Sequence, residues 1–181
     1  LVRGSGQRHD ASAHSRAFAA AVGKVLGDGQ PTPLPADALP PALVHGSTDG
    51  LICLNLANAA LGLGTDVSAP RLPDVFRAMY DYCAALTDAQ MVDGVEPLPG
   101  VLETLNALSA RRNSVVCGLV TGNVEGIARK KMRGVGVLAT GALWPAAAEQ
   151  TWDTETDASF LGGFGSDFCS MNIECATRQH L

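Results

Sequence analysis

Thr121, Gly122 and Asn123 stand in a row, and Lys131 follows ten positions after the first of them. A hydroxyl, a bare backbone and an amide in succession offer hydrogen-bond donors to the oxygens of an anion. Glycine allows that anion to approach the main chain closely. A nearby basic residue would supply charge to balance it. Arg129 and Lys130 are immediate neighbours of Lys131, so the residue types alone leave the identity of the basic partner open. The same residues also fit a plain turn with a helix cap, followed by a solvated basic cluster that complements the helix C-terminus.

The elements that must position these groups are legible on either side. Residues 115–120 are short, apolar and β-branched, which predicts a strand buried on both faces, as in a parallel sheet. After Asn123, helical spacing places Ile127, Met132 and Val135 on one side, with Arg129, Lys130 and Arg133 largely elsewhere, until Gly134 or Gly136 stops the helix. A strand–polar turn–helix unit puts its turn at the carboxyl edge of a sheet, where open α/β sheets bind ligands. The helix N-terminus there presents unpaired N–H groups. The chemistry expected is the binding of a phosphate or carboxylate.

The whole chain sets limits on this reading. Its 181 residues suffice for one domain, or a core with a modest insertion. With 46% hydrophobic and 17% charged residues it is globular in type. A net charge of −5 without a long basic run argues against nucleic acid or an acidic membrane surface as the main partner. No apolar stretch approaches the roughly 18 residues that span a bilayer, and no secretory signal is visible. The five cysteines fit no zinc pattern and predict a reducing compartment, with Cys117 a small buried hydrophobe in its strand. The four histidines form no metal-ligand pair and read as surface or structural residues.

Taken in order, residues 1–6 read as a loop. Residues 12–26 form a first helix by their spacing. The proline-rich segment 30–41 is a connection that regular helix cannot occupy. Ser47, Thr48 and Asp49 are all competent N-caps for a second helix over 51–61. Residues 62–73 form another loop, and 75–86 a third helix with Phe76, Met79, Tyr80 and Cys83 in a stripe. Pro99-Gly100 turns into an amphipathic helix over 101–108. Helix, strand and helix then alternate from about Val95, the pattern of an α/β sheet. Residues 139–157 read as an irregular connection. A short strand with a glycine-rich exit follows at 160–165, and Ser166 and Asp167 suit a helix cap before residues 171–180.

At Leu119-Val120-Thr121-Gly122-Asn123, with Lys131 and the Gly134-Val135-Gly136 turn, the chain resembles the haloacid-dehalogenase-like hydrolases, in particular their phosphoglycolate-phosphatase-like branch. Leu98-Pro99-Gly100-Val101, Gly46-Ser47-Thr48-Asp49 and Gly162-Gly163-Phe164-Gly165-Ser166-Asp167 agree in order. The resemblance implies a Rossmann-like, three-layer α/β core with a parallel sheet and an inserted helical cap. Residues 1–11 would be a loop after a first core strand, 12–93 the cap and 94–181 a partial core. It implies magnesium-dependent hydrolysis of a small phosphorylated metabolite in the cytoplasm, through an aspartyl-phosphate. Thr121 would bond the transferring phosphoryl oxygens and Lys131 would offset charge. Gly122, Asn123, Thr48, Asp49, Ser166 and Asp167 would line the substrate or phosphate site. The sequence departs from the pattern in two places. The family's Asp-x-Asp-Gly-Thr motif, with its nucleophile and general acid, would end just before Leu1, and no metal-binding Gly-Asp-x-x-x-Asp follows. The expectation is therefore either a piece of a longer phosphatase or an inactive relative that binds a ligand or partner. A third reading takes Thr121-Gly122 and Gly126 as a dinucleotide turn of a short-chain dehydrogenase. Against it, Tyr80 and Tyr82 lie upstream of that turn rather than downstream.

Overall fold

The computed structural model describes residues 2–4, 12–143 and 162–165. In chain order they form β1 (Val2–Gly4), α1 (Ala13–Leu26), α2 (Pro35–Ala38), α3 (Pro41–Val44), α4 (Asp49–Leu61), α5 (Thr65–Ser68), α6 (Leu72–Ala84), α7 (Asp88–Met91), β2 (Val95–Pro97), α8 (Val101–Ser109), β3 (Leu119–Val120), α9 (Glu125–Gly134) and β4 (Gly162–Gly163). Helix dominates. β1 and β2 pair antiparallel, and β3 and β4 pair parallel with Leu119 opposite Gly162.

The helical region is built by local signals that packing then exploits. The Ser12 hydroxyl accepts the Ser15 N–H at 3.1 Å and starts α1. Thr48 does the same for α4 by accepting the Leu51 N–H at 3.4 Å, and Gly62, at φ 69°, ends it in the left-handed conformation. Helix α1 packs most extensively on α6. Buried Ala17 and Ala21 leave room for the large side chains of α6, Phe76 and Met79 among them. Helix α4 is enclosed by α1, α2 and α6, so it buries Ile52, Cys53, Leu54 and Leu56 around most of its circumference.

Helix α9 joins this core to a second, smaller one. Val124, just before α9, and Ile127 belong to the helical core, whereas Ala128 and Met132 pack with Leu105 of α8, Leu119 of β3 and Phe164.

Several expectations are corrected. Among the described residues there is no three-layer parallel sheet. Residues 115–120 are not a strand buried on both faces: only Leu119–Val120 has strand geometry, extended by a lone parallel bridge from Cys117 to Leu143. Leu119 is buried, but Val116 is 59% and Val120 72% exposed. Such a strand needs cover on both sides, and here the packing gathers behind Leu119 alone. Cys117 is accordingly half-buried rather than buried. The opening segment contributes strand β1 where a loop is expected. The proline-rich connection holds the single-turn helices α2 and α3, each opened by a proline, whose fixed φ suits the first turn. For the same reason α6 begins at Leu72, with Pro73 in its first turn. The loop expected over 62–73 holds α5 and a 3₁₀ turn at Ala69–Arg71. The reading of residues 144–161 and 166–180 lies outside the described residues.

Candidate functional site

Three helix N-termini bring the site together. His14 lies in the first turn of α1, Asp49 opens α4, and Asn123 and Val124 precede α9. Asp49 Oδ2 lies 3.2 Å from His14 Nε2 and accepts the Val124 N–H at 2.8 Å. Its Oδ1 accepts the Asn123 side-chain N–H at 3.2 Å. From α9, the Lys131 ammonium donates to Asn123 Oδ1 at 2.9 Å and reaches His14 Nδ1 at 2.8 Å. The four side chains close a ring. Backbone contact reinforces it, because the Asp49 N–H donates to the Gly122 carbonyl at 2.9 Å. A Cβ on Gly122 would sit 3.0 Å from the Ser47 carbonyl oxygen and 3.1 Å from Thr48 Cα, so the close approach of α4 to the turn favours glycine.

The ring fixes its own protonation. An ammonium has only donors, so His14 Nδ1 must accept, and its proton must sit on Nε2, where it donates to Asp49. His14 is therefore neutral, between a cation and an anion. Burial is the main force that lowers its pKa, and Lys131 adds to it against the opposing pull of Asp49. Burial pushes the Asp49 carboxyl upward, but His14, Lys131 and the Val124 N–H together outweigh it and hold the group below its ordinary value. Lys131 is lowered, by burial first, with Asp49 opposing. The anion that the N-terminus of α9 calls for is thus met by the chain's own Asp49, 1% exposed.

The structure brings Thr48, Asp49, Thr121, Gly122, Asn123 and Lys131 to one place. Thr121 Oγ1 accepts the Asn123 backbone N–H at 3.2 Å and keeps its own proton for another acceptor. The Gly122 N–H and the third proton of Lys131 likewise have no partner among the described residues. Ser166 and Asp167 lie outside the described residues. Of the neighbouring basic residues, Lys130 is not solvated: it is buried and donates to the Ala84 carbonyl at 3.1 Å. Arg129 is buried too, and Arg133 grips Asp88 with two nitrogens at 2.7 and 3.0 Å. Sequence reasoning missed His14 altogether.

Beside the ring a cavity of about 410 Å³ opens between α1, the α2–α3 segment and the start of α4, with His14, Asp49 and Asn123 in its wall. Among the described residues no three His, Cys, Asp or Glu side chains gather to hold a metal. Asp49 engages both carboxylate oxygens with three donors. These residues do not fit a magnesium site. Cys83 lies in the helical core, where burial pushes its thiol up to about 12, so it is no nucleophile at neutral pH. No helix among the described residues is long and apolar enough to cross a membrane. No protein-family model, no curated protein and no solved structure matches this chain.

Proposed function

We propose that this chain carries the phosphate-facing part of a haloacid-dehalogenase-like phosphatase of the phosphoglycolate-phosphatase-like branch, its core an incomplete Rossmann-like sheet under a helical cap. The observation that carries the reading is the reach of Lys131. Its stem folds back along α9, as helical side chains tend to do, and delivers the ammonium to Asn123, eight residues earlier. Hydroxyl, backbone N–H and ammonium then meet at one turn, a donor set suited to the equatorial oxygens of a transferring phosphoryl group. The nucleophilic aspartate and the magnesium acids of such chemistry would lie outside these 181 residues. A cytoplasmic setting and a small phosphorylated metabolite belong to the same proposal.

Phosphate titration of the purified chain tests it, followed by backbone NMR. Orthophosphate is expected to shift Thr121, Gly122 and Asn123. Thr121→Val is expected to weaken binding several-fold. Lys131→Met is expected to weaken it about a hundredfold, in line with the loss of one electrostatic stabiliser. Shifts elsewhere, or none, would end the reading.

A second reading is favoured by one observation: the carboxylate at the turn is buried and fully hydrogen-bonded, so it is no nucleophile. On this reading the chain binds a ligand or partner without turnover. Magnesium-dependent hydrolysis of a phosphomonoester by the purified 181 residues, surviving contaminant controls, would refute it.

A further inference from the structure

The cavity beside the ring has a chemical character that the phosphate turn does not explain. Its volume of about 410 Å³ falls within the range of roughly 300–1,000 Å³ typical of small-molecule pockets. Phe18, Leu39 and Ile52 form an apolar wall. Ser12, Ser15 and Ser47 also line it, and none of their hydroxyl protons finds an acceptor among the described residues. No lysine or arginine contributes to the described lining. His14 is neutral and both its nitrogens are engaged, and the one carboxylate, Asp49, is engaged as well. Asn123 belongs both to this wall and to the turn that Lys131 reaches.

These features discriminate between organic phosphates. The carboxylate of a two-carbon acid such as glycolate would enter a cavity whose described lining holds no lysine or arginine, only the exposed imidazole of His45 beside the engaged His14, to offset its desolvation, which is costly for an unpaired charge. A two-carbon body would also leave most of the volume unfilled. An uncharged polyol ring has oxygens for the serine hydroxyls and C–H faces for the apolar wall. We infer that this cavity receives the uncharged, hydroxylated body of a sugar-sized phosphomonoester, rather than a small carboxylic acid, while the phosphate lies at the Thr121–Asn123 turn. The inference rests on the phosphate reading for the placement of the phosphate, but not for the character of the cavity.

Calorimetric titration of the full chain with orthophosphate, 2-phosphoglycolate, glucose 6-phosphate and methyl glucoside separates the two. Glucose 6-phosphate is expected to bind at least about tenfold more tightly than 2-phosphoglycolate, the scale on which a hydrogen-bonding pocket separates ligands with and without its partners. Ala36 is an exposed residue at the cavity lining, and Ala36→Trp is expected to erase that preference while orthophosphate binding is unchanged. If all three phosphates bind equally, or 2-phosphoglycolate binds best, the cavity inference is overturned and the phosphate reading stands. If orthophosphate does not bind, but methyl glucoside does and Ala36→Trp abolishes it, the phosphate reading fails and the polyol cavity survives. If nothing binds, both fall.

Discussion

The helical region from α1 to α7 and the segment from β2 onward use similar residues with different results. In the first, the long helices α1, α4 and α6 expose no large hydrophobic side chain, and Val22, Leu56, Val75 and Met79 are inaccessible, although Leu43 and Val67 of the short helices α3 and α5 are exposed. In the second, Leu119 is buried while its neighbour Val120 lies in solvent. A helix closes its backbone hydrogen bonds internally and needs cover on one stripe only. A strand depends on neighbours for its hydrogen bonds and on cover above and below for its side chains. The helical region therefore forms a dense core, to which the start of α9 adds Val124 and Ile127. The segment from β2 onward has a smaller core of Leu105, Leu119, Met132, Val137 and Phe164, and the polar ring ties its Thr-Gly-Asn turn to α1 and α4.

If that ring is the seam between the two regions, its central anion should matter most. Asp49→Ala removes the only opposite charge in the ring from beside the buried Lys131 ammonium and leaves the Val124 N–H without its acceptor. It is expected to cost about 3–5 kcal/mol in urea denaturation, the usual penalty for removing one partner of a buried pair. Next in size comes a direct contrast of the regions. Leu56→Ala is expected to cost about 2–5 kcal/mol, whereas Val120→Ala should stay within about 0.5 kcal/mol. Equal costs would mean that the two regions are packed alike and the comparison is wrong. Gly122→Ala pushes a methyl against the Ser47 carbonyl at the seam and is expected to cost about 1–3 kcal/mol, as overpacking does.

The smallest effect is the response to acid. His14 has a folded pKa below its unfolded value of about 6.5, so the unfolded chain takes up the proton first. The stability linked to His14 is whole above about pH 6.5 and is lost as pH falls from there through the folded value. Asp49, also lowered, adds a second loss below about pH 3.8. Thermal melts across this range should fall in two steps, and His14→Gln should remove the upper one.

Much of the helical region was legible because its signals are local. Ser12 and Thr48 cap helices, Gly62 ends one, and stripes repeat at helical spacing. The Thr121–Asn123 turn was legible from its place in a strand–turn–helix unit, whereas the choice of Lys131 over Arg129 and Lys130 rested on the family resemblance and not on spacing. The strand's burial was not, because apolar, β-branched text reads the same whether one face is covered or two. The buried state of Lys130 was hidden for a related reason: its acceptor, the Ala84 carbonyl, is a backbone atom that no side-chain pattern announces. His14 could not have been found at all by spacing. It meets Asp49 and Lys131 across separations of 35 and 117 residues, and a lone histidine in a helix's first turn carries no mark of either partner. The one faint signal was that three polar residues, His14, Asp49 and Asn123, each stand at the start of a helix, where a shared anion is favoured.

A neutral His14 links the Lys131 ammonium to the Asp49 carboxylate and so joins the two regions. The most direct measurement is nitrogen-detected NMR of the His14 ring as a function of pH. The structure predicts that at pH 7 the proton is on Nε2 and Nδ1 is bare, and that the ring titrates below about 6.5. Lys131→Met should raise that midpoint, and Asp49→Asn should lower it further. A ring that carries its proton on Nδ1, or one that is already doubly protonated at pH 7, would contradict the account.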